Sequence, residues 1–128
     1  DASVRQPIWQ SGYSYGHGTG HGVGVNVHEA PPRITNRSDD VIEEGYVFSI
    51  EPGIYLPDFG GVRIENLCTF VRDPAVDGFG RVLPLTFSKL DRRLIEPAML
   101  NGDEKAFLRY FQRQRRVGPD EMPELPPL

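Results

Sequence analysis

The chain lacks the features that mark secreted, membrane-spanning and nucleic-acid-binding proteins. Its 128 residues include one cysteine, so no internal disulfide can form, which is typical of a reducing compartment. No apolar run approaches the ~20 residues that a membrane span needs. Residues 1–9 show no signal-peptide pattern. The net charge of -4 at pH 7 leaves no excess of positive charge to attract nucleic acid. These absences predict a soluble globular domain with no nucleic-acid and no membrane partner.

The most informative feature of the sequence is a glycine pattern, in which glycine occupies every second position from Gly16 to Gly24. In an extended segment successive side chains point to opposite faces, so this run has one face of bare backbone. The bare face permits close approach, and His17 and His21 project together from the other face. The glycines exclude the helix in which a His-x-x-x-His pair binds zinc. A phosphate-binding loop is disfavoured, since no Lys-Ser/Thr ending and no helical pattern follow.

The remaining patterns predict a mixed α+β fold with a mostly antiparallel sheet. A helix over Ala2–Trp9 ends near Gly12. The glycine run continues as a strand through Val23–Val27, where valine stands at every second place. The sequence Ala30-Pro31-Pro32 then breaks this strand, and residues 33–40 form a polar surface loop.

Two further strands are predicted to pair. The segments Tyr46–Glu51 and Val62–Val71 form an antiparallel, hairpin-like unit around a turn at Asp58–Gly61. In the first strand one face is apolar and the other carries Glu51. Cys68 shares the parity of the apolar residues of the second strand, so we expect it to be buried. The apolar residues of the first strand are Tyr46, Phe48 and Ile50.

The C-terminal part of the chain is predicted to be a strand, a helix and a tail. The strand covers Val82–Phe87. Asn101 and Glu104 form a capping box that opens a helix through about Arg116. The proline-rich residues 117–128 are expected to be extended or disordered. The apolar face of the helix consists of Phe107, Leu108 and Phe111.

Two acids and a histidine make a candidate metal site. Glu51 ends one predicted strand, Glu65 lies near the start of its partner, and His21 comes from a neighbouring strand. Carboxylates with an imidazole suit Mn, Co, Zn or Fe. Arg63 shares the face of Glu65 and can pair with a carboxylate or hold a substrate carbonyl or carboxyl. Taken singly, a glutamate on a strand is usually solvated or ion-paired, so the hypothesis depends on the set.

The order of these motifs resembles aminopeptidase P, the Xaa-Pro aminopeptidase of the pita-bread metallopeptidases, and most closely its cytosolic, multi-domain branch. The resemblance covers roughly residues 1–113 and implies the C-terminal half of a pita-bread (creatinase/aminopeptidase) fold, with a curved, mostly antiparallel sheet and flanking helices. On this basis residues 1–116 belong to the catalytic domain and residues 117–128 form its tail. The matching motifs are Gly-His-Gly-Thr-Gly-His-Gly-Val-Gly, Asn26-Val27-His28-Glu29, Glu51-Pro52-Gly53-Ile54-Tyr55 and Val62-Arg63-Ile64-Glu65-Asn66.

The resemblance also implies roles for individual residues. Two divalent metals, most commonly Mn with Zn or Co as alternatives, would be held in part by His21, Glu51 and Glu65, and Glu51 would also be the general base. His17 and His28 would move protons and stabilise charge during catalysis. Arg63 and Tyr55 would orient the substrate, a peptide with proline in second position. The resemblance further implies a cytoplasmic enzyme that forms a homodimer at full length.

The chain departs from the family pattern in one respect. The family has two ligand aspartates on strands well before the Gly-His run, and every aspartate here except Asp1 follows His21. Because the chain also lacks an initiator Met, we expect it to be part of a longer polypeptide whose N-terminal part supplies these aspartates. The 128 residues alone are then expected to be inactive, with weak or no metal binding.

Two alternatives share the same fold. Prolidase has the same metal ligands and cleaves Xaa-Pro dipeptides, but the Gly-His-Gly-Thr-Gly-His run and Asn26-Val27-His28-Glu29 favour the aminopeptidase. A non-catalytic pita-bread binding module would lose metal ligands, whereas His21, Glu51 and Glu65 are present here.

Overall fold

A five-stranded antiparallel sheet forms the centre of the first of two compact units, residues 1–85. The computed structural model describes residues 1–114, so the prediction for the tail lies outside the described residues. The elements of this unit are α1 (Ala2–Gln10), β1 (Gly20–Gly22), β2 (Glu29–Ile34), β3 (Val47–Ile50), β4 (Gly53–Leu56), β5 (Gly60–Arg63), β6 (Asn66–Arg72) and β7 (Gly80–Pro84). The order of strands in the sheet is β2-β1-β3-β6-β7, and β4 pairs with β5 in a separate two-stranded sheet.

The core lies on one face of the large sheet. Ile34, Phe48 and Cys68 are buried together there, one from each of β2, β3 and β6. Tyr46 and Ile50 pack against this cluster, so the predicted apolar face of the central strand is confirmed. Burial of Cys68 is confirmed as well. Ser49 faces the opposite side and is also fully buried, because both faces of β3 are covered.

The predicted pairing of the two acid-bearing strands is confirmed, but the second strand is interrupted. β3 pairs with β6 in antiparallel register, with Phe48 opposite Cys68. The segment predicted as one strand over Val62–Val71 breaks after Arg63, and its first part, β5, pairs with β4 instead. The turn between β4 and β5 includes Asp58, whose φ of 57° is in the left-handed region. Glu65 therefore lies in the short connection between two strands that belong to different sheets.

Two expectations for residues 23–34 are wrong. The strand does not continue through Val23–Val27: β1 ends at Gly22, and Val25 is fully exposed. The segment turns because the carboxylate of Glu29 accepts hydrogen bonds from the backbone and side chain of Asn26. Residues 30–32 do not break a strand but lie inside β2. Proline is tolerated there because β2 is an edge strand and because its register with β1 jumps from Glu29 to Arg33, which leaves residues 30–32 without paired residues.

The second unit begins at Thr86 and is described to residue 114. It contains two short 3-10 turns, Arg92–Leu94 and Pro97–Met99, and the helix α2, Gly102–Gln114. The rings of Tyr110 and Phe111, both buried, contact the ring of Phe87. In the described part of the chain no helix has the length and apolar character to cross a bilayer.

The remaining secondary-structure predictions are largely confirmed. α1 ends at Gln10, and Gly12 follows with a φ of 79°, the conformation that favours glycine after a helix. Asn101 and Glu104 exchange side chain to backbone hydrogen bonds of 2.9 and 2.8 Å, which is the predicted capping box. The strand predicted over Val82–Phe87 is found two to three residues earlier, as β7.

Candidate metal centre

Three side chains from separate parts of the first unit converge on one point. His21, Glu51 and Glu65 each offer a ligand atom, and these atoms all lie within 4.8 Å of one another. His21 comes from β1, Glu51 follows β3, and Glu65 precedes β6. The set predicted from the sequence is therefore brought together by strands that are adjacent in the sheet, or by the segments that flank them.

Glu51 is held from both its backbone and its side chain. Its amide donates a 2.8 Å hydrogen bond to the carbonyl of Thr19, which joins the end of β3 to the glycine run. Its carboxylate oxygen Oε1 accepts a 3.0 Å hydrogen bond from the hydroxyl of Ser49. The carboxylate is mostly buried, with 14% of the side chain exposed. It is thus ordered before any ligand binds.

His21 directs a nitrogen lone pair towards this carboxylate. Its Nδ1 lies 2.9 Å from the carbonyl of Gly22, an acceptor, so Nδ1 carries the proton and Nε2 has a free lone pair in the neutral ring. Nε2 lies 3.3 Å from Oε1 of Glu51. Two electron-rich atoms this close repel each other, and a cation bound between or beside them would offset that repulsion. An imidazole and two carboxylates are the donor set that borderline and hard divalent metals prefer, so these residues fit such an ion.

Arg63 borders the acidic side of the centre. Its Nε lies 3.6 Å from Oε2 of Glu65 and 4.0 Å from Oε2 of Glu51. The pKa of Arg63 is raised first by a hydrogen bond and a charge interaction with Tyr55, and then by the charges of Glu65 and Glu51. The guanidinium stays charged, and it offsets part of the negative charge of the two acids.

His17 and Tyr55 form a pair at the edge of the centre. Nδ1 of His17 lies 2.7 Å from the carbonyl of Gly18, so it carries the proton. Nε2 therefore accepts the 2.9 Å hydrogen bond from the hydroxyl of Tyr55. The two rings meet edge to face, with 5.6 Å between centroids. Tyr55 also interacts with Arg63, whose pKa it raises.

His28 reaches the centre from the turn that follows β1. Its ring lies against that of His21, with 4.2 Å between centroids. The turn is fixed by Glu29, whose carboxylate accepts 2.7 and 3.1 Å hydrogen bonds from Asn26. His28 is exposed, so its ring nitrogens are open to solvent or to a bound molecule.

A network of buried polar groups holds the glycine run onto α1, and the sequence did not reveal it. Arg5 pairs with the carboxylate of Asp1 at 2.8 Å and donates to the carbonyls of Tyr15 and His17. The hydroxyl of Thr19 donates to the other oxygen of Asp1. These contacts link residues far apart in sequence, so only the folded structure shows them. Ser49 was also missed, although its strand parity puts it on the face of Glu51.

The bare face of the glycine run is covered by the protein's own backbone. A β-carbon at Gly20 would overlap the carbonyl of Ser49, and one at Gly22 would lie 2.7 Å from the carbonyl of Glu29. Glycine is therefore needed for β1 to approach its neighbours on both sides. His17 and His21 leave the run for different contacts, the former with Tyr55 and the latter with Glu51.

A cavity of about 470 Å³ opens beside His17. Its wall includes the indole of Trp9, which donates a 3.3 Å hydrogen bond to Ser14, and the side chain of Arg37. Because it has both polar and aromatic walls and lies next to a predicted catalytic residue, the cavity has the size and chemistry to receive part of a peptide.

Comparison with known proteins gives the same family as the sequence motifs. The profile of "Metallopeptidase family M24" matches residues 1–71, more than half of the chain. A "Probable Xaa-Pro aminopeptidase P" from Colletotrichum graminicola is 41% identical over 118 residues, which are 84% of this chain and 19% of that protein. An "Xaa-Pro dipeptidase" from Lactobacillus delbrueckii subsp. lactis is 49% identical over 75 residues, 57% of this chain and 20% of that protein. The chain thus spans about a fifth of the length of these relatives.

Solved structures agree with this assignment. The X-prolyl aminopeptidase from Caenorhabditis elegans, described as a cytosolic enzyme with a di-nuclear active site, superposes with a TM-score of 0.75 at 30% identity, over 91% of this chain and 19% of that chain. The prolidase from Pyrococcus horikoshii superposes with a TM-score of 0.61 at 40% identity, over 74% and 25%. These neighbours, with the helices and antiparallel strands described above, identify part of a pita-bread domain. The chain belongs to metallopeptidase family M24.

Proposed function

We propose that this chain forms part of the active site of an Xaa-Pro aminopeptidase, which hydrolyses the N-terminal residue from peptides with proline in second position. The convergence of His21, Glu51 and Glu65 within 4.8 Å carries this proposal. Similarity to Xaa-Pro aminopeptidase P over 84% of the chain supports the substrate class. We propose that the metals are two divalent ions, manganese by preference, with zinc or cobalt as alternatives.

When bound, such metals supply positive charge that lowers the pKa of water and polarises a carbonyl. Glu51 would take the proton of the attacking water and give it to the departing proline nitrogen, since its carboxylate is ordered by Ser49 and lies beside Nε2 of His21. Glu65 is the second carboxylate ligand, on the side that Arg63 borders.

The surrounding residues bind and orient the peptide and move protons. His28, exposed and tilted against the ring of His21, donates to the oxygen that gains charge during hydrolysis. His17 accepts a proton at Nε2 from the Tyr55 hydroxyl that contacts it, and returns the proton to the same oxygen. Arg63, held by Tyr55, stays charged and orients the substrate's carbonyl or carboxyl group. We place part of the peptide in the cavity beside His17.

Prolidase activity is the second candidate, because an Xaa-Pro dipeptidase is 49% identical over 75 residues and a prolidase structure superposes over 74% of the chain. The protein that carries this chain, expressed at its natural full length with Mn²⁺, should be assayed on an Xaa-Pro dipeptide and on the same peptide extended by one residue. We expect cleavage of the tripeptide to be faster. Hydrolysis confined to the dipeptide would favour prolidase, and absence of both activities and of bound metal would favour a binding module.

We also propose that the 128 residues alone are inactive. Within the described residues, the converging groups carry two negative charges, from Glu51 and Glu65, against four positive charges on two divalent metals. Further acidic ligands from elsewhere in the protein would complete the site. Measurable Xaa-Pro hydrolysis by the isolated chain would contradict this. A homodimer at full length and a cytoplasmic location follow from the family resemblance; the latter is supported by the cytosolic neighbour.

A further inference from the structure

Ser49 contacts two of the three proposed ligand residues. Its hydroxyl oxygen accepts a 3.0 Å hydrogen bond from the backbone N–H of His21 and donates a 3.0 Å hydrogen bond to Oε1 of Glu51. The side chain is fully buried. We infer that Ser49 is a positioning residue that fixes His21 and Glu51 relative to each other and so sets the metal affinity of the site. This inference rests on the proposed function.

The direction of both hydrogen bonds is determined by chemistry. A hydroxyl has one proton to donate, and an amide N–H can only donate. Since the amide of His21 occupies an acceptor position on Ser49, the hydroxyl proton is directed to the carboxylate of Glu51. The carboxylate then keeps its second oxygen, Oε2, turned towards Arg63. Ser49 thereby orients the carboxylate of Glu51 so that its two oxygens face different sides of the centre.

The hydroxyl takes the place of a backbone hydrogen bond between two strands. β1 and β3 share one residue pair, Gly22 opposite Phe48. On either side, Val23 donates to Val47 and Glu51 donates to Thr19 through the backbone. Between these bonds, the His21 amide is satisfied by the Ser49 side chain. A buried amide that lost this partner would be costly, typically by about 1–3 kcal/mol, so His21 and Ser49 are tied together.

Gly20 makes this contact possible. The backbone of Ser49 approaches Gly20 so closely that a β-carbon there would overlap the Ser49 carbonyl. The absence of a side chain therefore lets the strand carrying His21 come within reach of the Ser49 hydroxyl. Gly20 and Ser49 therefore act together, since the missing side chain of the first permits the hydrogen bond of the second.

The test measures metal affinity and stability separately. The natural full-length protein is stripped of metal and titrated with Co²⁺, whose absorption spectrum reports coordination, and thermal unfolding of the metal-free protein is recorded in parallel. Ser49→Ala is expected to weaken Co²⁺ binding by about 10- to 100-fold, the range typical of groups that orient metal ligands. Ser49→Thr, which keeps the hydroxyl, should restore affinity. Ser49→Cys, a weak donor of similar size, should lie between the two.

Thr69→Ala is the matched control, because it removes a hydroxyl from the same sheet. Thr69 is opposite Val47, at the other end of the β3–β6 pairing from Asn66, which follows Glu65. The control should leave Co²⁺ affinity unchanged. Wild-type affinity in Ser49→Ala, or an equal loss in Thr69→Ala, would overturn the inference while the proposed function stands. A wild-type protein that binds no Co²⁺ would overturn both the proposed function and the inference that rests on it.

Discussion

Asp1 and Arg5 form an ion pair, 2.8 Å long, that is almost completely shielded from water: 6% and 9% of the two side chains are exposed. The same guanidinium lies over the ring of Tyr15 and donates to the carbonyls of Tyr15 and His17. Arg5 thus holds the start of the glycine run against α1. Because the same run carries His21, the pair supports the candidate metal centre without contacting it.

Removal of this arginine should destabilise the protein strongly. Arg5→Met keeps the length of the side chain but leaves the Asp1 carboxylate buried without its partner, which typically costs about 3–5 kcal/mol. The free energy of unfolding in urea would measure this loss. Arg72→Met is the control, since its pair with Glu44 is exposed and should contribute less than about 1 kcal/mol. Similar losses in both variants would contradict this role for Arg5.

Tyr55 should affect catalysis more than folding. Tyr55→Phe keeps the ring but removes the hydroxyl that contacts Nε2 of His17, and one hydrogen bond of this kind corresponds to about 3- to 10-fold in kcat/KM. Steady-state kinetics of the natural full-length protein on an Xaa-Pro tripeptide would measure it. Tyr13→Phe changes another exposed tyrosine and should leave kcat/KM unchanged. An unaltered kcat/KM in Tyr55→Phe would mean that the hydroxyl takes no part in the reaction.

Glu51 should be needed for turnover even where the protein stays folded. Glu51→Gln has the same shape but cannot take a proton, and loss of a general base typically lowers the rate by about 10²- to 10⁴-fold. The variant also loses a charged ligand, so bound manganese, measured by elemental analysis, should fall. Glu44→Gln alters an exposed acid that pairs with Arg72 and should behave as wild type. Activity near the wild-type level in Glu51→Gln would refute the assigned role.

Cys68 should be unreactive at neutral pH. Burial raises the pKa of its thiol to about 11, and only the thiolate reacts with alkylating reagents. Iodoacetamide modification of the Cys68 peptide, followed by mass spectrometry from pH 7 to 10, should be slow in the native protein and fast in denaturant. Since the unfolded thiol ionises at lower pH, this group lowers stability as the pH rises from about 9 towards 11. Rapid native modification at pH 8 would contradict this.

The capping box should stabilise the second unit. In Asn101→Ala the amide of Glu104 loses its 2.9 Å hydrogen bond, and loss of such a cap costs about 1 kcal/mol. Thermal unfolding followed by circular dichroism should show a lower midpoint for this variant. Ser88→Ala, an exposed change in the same unit, should have no effect. If the two variants unfold at the same temperature, Asn101 does not cap α2.

The sequence was sufficient to predict features that depend on residues near one another in the chain. The capping box and the end of α1 depend on residues within one or two turns, and the apolar parity of Tyr46, Phe48 and Ile50 follows from the two-residue period of a strand. The ligand set could also be proposed from sequence, because spaced motifs indicated which acids and imidazole belong together. The strand predicted through Val23–Val27 is wrong although it was based on the same kind of local pattern. Alternating valines are typical of a strand, but Glu29 closes a turn there through its hydrogen bond with Asn26.

The contacts between residues that are distant in sequence become known only from the folded structure. The two prolines of β2 are acceptable because that strand is at an edge and its register with β1 skips residues 30–32. Pairing between distant segments sets both features. Ser49 and Arg5 act through contacts with residues 10 to 28 positions away, and no local pattern encodes such distances. The amino-acid sequence defines which chemical groups this protein has. Folding sets which of them face each other, such as Oε1 of Glu51 and Nε2 of His21, because that geometry results from many contacts between distant residues.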